Sequence, residues 1–226
     1  MNNLIKPRES RKIQAIIFDM DGVLIDAKEW HYEALNRALN LFGLEITRKL
    51  HLQEFDGLPT KTKLEMISRA KSLPRTLHSF INAMKQIYTI EAIDLHCVPS
   101  PTRINALKSL KNDGFRLALC SNSIAKTIEL MLEKSALREY LDFYLSNESV
   151  ANPKPNPEIY EKAIARLNLS PHEVLIVEDN QNGITAAKQS GAFVMEIGDI
   201  AEVNYKNIKR VIAKCESKKG SDNAKI

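Results

Sequence analysis

Asp19 and Asp21 stand one residue apart at the end of the apolar run Ile16-Ile17-Phe18, and Gly22 follows them directly. Residues two apart on a strand share a face, so the two carboxylates point the same way and past the strand end can converge on a cation or a bound phosphate. Three later segments bring chemistry that matches. Residues 115–122 form a second apolar run that closes on Ser121 and Asn122, and the Ser121 hydroxyl is placed to hold a phosphate oxygen. Lys154 stands between Pro153 and Pro155, just ahead of a helical pattern at Ile159, Ala163, Ile164 and Leu167; its neighbours stiffen the loop by fixing their own φ angles. Residues 174–177 form another buried-type run that ends in Glu178-Asp179, oxygen donors that suit Mg²⁺. Taken singly, each segment also has a plainer reading. Asp and Gly are common turn formers, Ser121-Asn122 can cap a helix from Ile124, Glu178-Asp179 can cap one near Gln181, and Lys154 can be a solvated lysine. Taken together and in chain order they make an acid pair, a hydroxyl, a lysine and a second acid pair, the set that surrounds a phosphoryl group and its metal.

Residues so spaced need a sheet to bring them together. Alternating strand and helix patterns predict an α/β fold, a doubly wound parallel sheet, with strands over 13–18, 116–120, 143–145, 174–177 and 193–196. Helical patterns cover 104–111, 124–135, 158–167 and 183–190. Between the first two strands about 70 residues show no strand, and apolar residues recur at helical spacing over 30–42, 64–71 and 77–92. A connection that long is rarely structureless, so residues 27–96 are expected to form an inserted α-helical cap domain over a core of 1–26 and 97–226. Hinges are expected near 24–27 and 99–101. The tail 214–226 is rich in Lys, Ser, Gly, Asp and Asn and is expected to be disordered.

These motifs resemble those of the haloacid dehalogenase-like (HAD) hydrolase superfamily, whose four signatures match Asp19-Met20-Asp21-Gly22-Val23, Ser121, Lys154 and Glu178-Asp179 in order. The flanks Lys154-Pro155-Asn156-Pro157-Glu158-Ile159-Tyr160 and Val177-Glu178-Asp179-Asn180-Gln181-Asn182-Gly183-Ile184 are similar to the phosphatase and β-phosphoglucomutase-like branch, which has a Rossmann-like core and a helical cap. The resemblance implies a Mg²⁺-dependent phosphatase acting on a small phosphorylated metabolite, with a sugar phosphate as the leading class. It implies that Asp19 attacks phosphorus to give an aspartyl-phosphate, and that Asp21 protonates the leaving oxygen and then activates water. Ser121, Asn122 and backbone N–H groups after Asp19, Gly22 among them, would bind the substrate, while Lys154 offsets charge. The implied Mg²⁺ ligands are Asp19, the backbone carbonyl of Asp21, and Asp179, with Glu178 a ligand or an outer partner.

Substrate choice is expected to lie in the cap. His31, ten residues after Asp21, stands where β-phosphoglucomutase-like proteins also carry histidine, and reads as a leaving-group contact or as a surface residue. Phe55 to Lys61 resembles the family's substrate-facing loop, with Gly57 at its turn and Lys61 as a second anion contact. That loop lacks the arginine of mutase members, which argues against the alternative of a phosphosugar mutase. A non-catalytic binder of phosphometabolites is the other alternative, and its mark would be a lost nucleophile or lysine. Lys85-Gln86-Ile87-Tyr88 lies on the last cap helix and can reach the site, although Lys85 reads rather as exposed, and Trp30 reads as cap core.

Composition sets the outer bounds. With 226 residues, 44% hydrophobic and 27% charged, the chain can bury a full core. A net charge of +4 on scattered lysines does not indicate a nucleic-acid face. No apolar run approaches the roughly 20 residues of a membrane span, and residues 1–12 are polar, so the expectation is a cytoplasmic monomer or weak homodimer with no membrane partner. Cys97, Cys120 and Cys215 are odd in number and lack CxxC spacing, which disfavours disulfides and zinc; Cys120 reads as a core thiol.

Overall fold

The apolar runs become one parallel sheet of five strands, β1 (Ala15–Phe18), β2 (Arg116–Cys120), β3 (Phe143–Leu145), β4 (Val174–Glu178) and β5 (Phe193–Glu196), in the order β3-β2-β1-β4-β5. A computed structural model describes residues 13–217. β1 lies mid-sheet, with Phe18 level with Leu119 on one side and Val177 on the other. The chain builds outward through β2 and β3, then returns to β1's other edge with β4, so the strand order reverses beside β1. Open α/β sheets bind ligands in the crevice that such a reversal leaves at the strands' carboxyl ends.

Four helices lie between β1 and β2 as an inserted cap: α1 (Lys28–Asn40), a short α2 (Arg48–Leu50) running into a π-helical turn at His51–Phe55, α3 (Thr60–Lys71) and α4 (His78–His96). The remaining α-helices among the described residues are α5 (Pro101–Asn112), α6 (Ala125–Lys134), α7 (Glu158–Leu167), α8 (Gln181–Gln189) and α9 (Tyr205–Ser217). Period-two alternation divides the strands between two cores. Ile16, Phe18, Leu119 and Val177 face α5, α6 and α9, while Ile17, Ala118, Cys120 and Ile176 face α7 and α8. The cap has a third core of its own, built on Leu35, Leu39, Phe55, Leu64, Ile67 and Ile81. α4 crosses between territories: Ile81 lies in the cap core and Ile93 in the main core.

Two expectations are corrected here. Trp30 packs against the main core, its ring 6.1 Å from that of His96, because the start of α1 still lies on the body of the protein. Lys214 to Ser217 are not tail but the last turn of α9, whose Ile208 and Ile212 are buried. The spacing of Ile208, Val211, Ile212 and Cys215 is helical, and polar composition masked it. The expectations for 1–12 and for the rest of the tail, 218–226, fall outside the described residues. Among the described residues no helix is long and apolar enough to cross a membrane.

Candidate active site

Asp19 leaves β1 at the sheet's carboxyl edge, its N–H still bonded to the Val177 carbonyl at 3.0 Å. Lys154 reaches it from the loop before α7. Its Nζ donates to Asp19 Oδ1 at 2.7 Å, to Glu178 Oε1 at 2.6 Å and to the Cys120 carbonyl at 2.8 Å. An ammonium has three donors, so all are used and the side chain is fixed. The Tyr160 hydroxyl donates to the same Glu178 oxygen. Burial opposes the charge on Lys154, and Asp19 and Glu178 outweigh it, so its pKa rises. Asp19 is pushed well above the usual carboxylate range by burial and then by Glu178, with Lys154 pulling the other way.

The buried Lys154 and the partly exposed Lys28 face three carboxylates, Asp19, Glu178 and Asp179, which leaves this edge short of positive charge. Asp19, Glu178 and Asp179 each offer an oxygen within 4.8 Å of the others. Asp179 Oδ1 is buried without a hydrogen-bond partner, while Oδ2 pairs with Lys28, and burial lifts its pKa to about 6. A buried all-oxygen cluster with an orphaned oxygen fits a hard divalent cation such as Mg²⁺. Gly22 lets the Asp179 and Lys28 side chains lie against the backbone: at φ +88° it adopts a conformation that side chains resist, and a Cβ there would stand 2.9 Å from Asp179 Cγ.

Asp21 turns away from this cluster. Its Oδ1 lies 3.1 Å from His31 Nε2, and its Oδ2 accepts the Ser123 hydroxyl at 3.2 Å. Behind His31, Lys85 Nζ lies 3.1 Å from Nδ1. An ammonium can only donate, so Nδ1 accepts from it and Nε2 carries the proton donated to Asp21. Burial works to raise the Asp21 pKa, but His31, Lys85 and Ser123 together bring it below the usual value. The His31 pKa is lowered, chiefly by burial. Burial, with Lys63 next, brings Lys85 down to about 7; Lys63 falls to about 8, again through burial.

The cap loop closes over these groups through asparagine amides. Asn122 Nδ2 donates to the Gly57 carbonyl at 2.8 Å, Asn182 Nδ2 to the Asp56 carbonyl at 3.0 Å, and Asn180 Nδ2 to Asp56 Oδ2 at 2.7 Å. Gly57 has φ +72°, and a Cβ on it would stand 2.7 Å from Asn180 Cγ. The enclosed cleft measures about 470 Å³ and is lined by Asp19, Asp21, Ser121 and Lys154 on the core side and by Lys63 and Lys85 on the cap side.

Asp19, Asp21, Gly22, Ser121, Asn122, Lys154, Glu178 and Asp179 are therefore brought together, with His31 and Gly57 meeting them from the cap. Ser121 is buried and its Oγ accepts the Ser123 N–H at 3.0 Å. Asn122 spends its amide on loops, since Oδ1 accepts the Lys154 N–H at 3.1 Å. Cys120 lies in the core, its thiol pushed up to about 12 by burial. Lys61 is exposed at the rim, and Lys63, two residues on, is the buried lysine of that helix. Lys85 is buried, contrary to expectation, because the inner stripe of α4 is Ile81, Lys85, Thr89 and Ile93. Its place between isoleucines at intervals of four was the available signal. Tyr160 sits on the buried face of α7, where a hydroxyl requires a partner. Lys28 and Ser123 carried no comparable mark.

A model of the haloacid dehalogenase-like hydrolase family matches residues 16–197. A phosphorylated carbohydrates phosphatase from Thermotoga maritima is 31% identical over 182 residues, 79% of this chain and 82% of that one. The structure of CbbY from Rhodobacter sphaeroides in complex with phosphate superposes with a TM-score of 0.72 at 25% identity, covering 80% of this chain and 84% of that one. A β-phosphoglucomutase from Clostridium difficile gives 0.78 over 89% of this chain and 98% of its own; at 22% identity it speaks for the fold alone. The family match takes in the whole sheet but Ala15, together with the acids at its edge, and this chain belongs to the haloacid dehalogenase-like hydrolases.

Proposed function

We propose that this protein is a Mg²⁺-dependent phosphatase that hydrolyses a small phosphorylated metabolite, foremost a sugar phosphate, through an aspartyl-phosphate on Asp19. One observation carries the reading: Asp19 is anchored by Lys154 on one oxygen only, beside the buried carboxylate cluster and in the same cleft as Asp21. The T. maritima relative, named for phosphorylated carbohydrates, supports the substrate class.

Asp19, the backbone carbonyl of Asp21, and Asp179 would hold Mg²⁺, with Glu178 beside them. When bound, the ion screens the phosphate's charge against these carboxylates. Asp19 Oδ2, to which no described residue donates, attacks phosphorus; the bond from phosphorus to the leaving oxygen breaks, and Asp21 delivers a proton to that oxygen. Asp21 is anionic in the empty cleft, and the arriving phosphate's negative charge raises its pKa so that it takes up that proton. In the second half, Asp21 removes a proton from water as the water attacks phosphorus. The phosphorus–Asp19 bond breaks, releasing phosphate and restoring the carboxylate that Lys154 steadies. His31 keeps Asp21 aimed into the cleft throughout.

Phosphate release from a panel of phosphorylated sugars, nucleotides and short acids, with and without Mg²⁺, tests the reading. Metal-dependent release that drops by roughly 10³-fold or more in Asp19→Asn, with unchanged circular dichroism, is expected for loss of a covalent nucleophile. Full activity in Asp19→Asn, or release indifferent to the metal, would refute it.

A further inference from the structure

Lys28 opens α1, the first helix of the cap, where the positive end of the helix dipole disfavours a cation. Its ammonium turns back to the core and pairs with Oδ2 of Asp179. Among the described residues nothing else pairs with that carboxylate: Oδ1 has no hydrogen-bond partner, and Lys154 directs its three donors to Asp19, Glu178 and the Cys120 carbonyl. Lys28 also lies across Gly22, where an added Cβ would run into the lysine's Cε and the Asp179 carboxylate together. Gly22 directly follows Asp21, whose backbone carbonyl is a proposed ligand alongside Asp19 and Asp179. The lysine therefore stands where a cation held by Asp21 and Asp179 has to be approached.

The formal charges point the same way. Lys28 and Lys154 together fall one charge short of Asp19, Glu178 and Asp179, whereas a divalent ion beside Lys154 alone matches all three. With the ion in place a second ammonium is surplus and repelled. The Lys28 side chain is 37% exposed and has solvent to turn into, while that of Lys154 is 4% exposed and held by three acceptors. We infer that Lys28 and Mg²⁺ compete for Asp179, so that the ion binds by displacing the ammonium and Lys28 sets the Mg²⁺ concentration at which the site fills. This rests on the proposed metal site and adds a regulating residue to it.

Calorimetric titration of Mg²⁺ into the full chain, without substrate, tests it. The dissociation constant should fall roughly tenfold in both Lys28→Met and Lys28→Gln, the size of one charge-assisted contact, the latter keeping a polar group should the former fail to fold. Lys28→Arg, which keeps the charge, should stay within about threefold of the parent, as should Lys61→Met, which removes an exposed charge from the rim of the same cleft. Unchanged or weaker binding in both neutral Lys28 variants overturns the inference. An equal gain in Lys28→Arg or in Lys61→Met also overturns it, because the charge at this position would then not be what competes. Absence of binding in every protein removes the metal site and this inference with it. Turnover is read separately: a parent that binds Mg²⁺ and releases no phosphate from any monoester loses the phosphatase reading alone, and unchanged constants in an active, Mg²⁺-dependent enzyme sink this inference alone.

Discussion

Replacing Lys85 with methionine should stabilise the metal-free protein, most at low pH and least at high pH. Burial on the inner stripe of α4, with Lys63 nearby, lowers the Lys85 pKa from an ordinary 10.5 to about 7. A lysine with a lower pKa folded than unfolded binds fewer protons in the folded state between those two values. Stability therefore rises with pH across that window, and the whole penalty is present only below it. With these values the penalty is on the order of 5 kcal/mol at pH 6 and roughly 1 to 2 at pH 9.5. Methionine has similar length and no charge, so the variant's gain over the parent should shrink by about 3 kcal/mol across that range. Lys63, His31 and Asp21 face the same spot, and Lys63, at about 8, titrates in the same window in both proteins. The informative quantity is therefore the difference between variant and parent at each pH. Urea unfolding followed by circular dichroism at pH 6, 7, 8 and 9.5, with a chelator present, reads it. A difference that stays constant or grows with pH would mean that Lys85 remains charged and solvated in the folded protein, and the reasoning would fail.

Gly57→Ala should raise KM by roughly tenfold with a smaller change in kcat, because positive φ costs an alanine about 1 to 2 kcal/mol and its Cβ drives the cap loop off Asn180. Steady-state kinetics decide, and an unchanged KM would show that the loop's docking on Asn122, Asn180 and Asn182 plays no part in binding. Lys154→Met strands Asp19 and Glu178 together in a buried site, which should cost roughly 3 to 5 kcal/mol at pH 7. That cost should ease as the pH falls, since Asp19, already held above the usual carboxylate range by burial, escapes the repulsion by taking up a proton; urea unfolding at pH 7 and at lower pH measures it, and a loss near zero at pH 7 would contradict the pairing.

The core of the site was legible because strand ends convert sequence into position with little freedom. An apolar run of four or five residues in a parallel sheet stops at one edge, so Asp19 after Phe18, Ser121 after Cys120 and Asp179 after Glu178 arrive together whatever lies between them. Even the three-residue β3 obeys this rule, since pairing with β2 supplies what its length does not. Polar loops gave less. Lys28 and Ser123 act through proximity created by the fold, with Lys28 on Asp179 from the start of α1 and Ser123 on Asp21 across 102 residues, and no spacing encodes either.

Helix facing explains why the cap was misread. A lysine on a helix is ordinarily assigned to solvent because burying its charge is costly, and that rule sent Lys85 outward and passed over Lys63 in favour of Lys61. The periodic pattern said otherwise: Lys85 falls in step with Ile81, Thr89 and Ile93, and Lys63 adjoins Leu64 and lies one turn before Ile67. Where composition and periodicity disagree over a charged residue, periodicity places it, and the energy that composition was measuring does not vanish. It persists as the lowered pKa of both lysines, and perturbed groups of this kind in the wall of a cleft are a mark of functional sites.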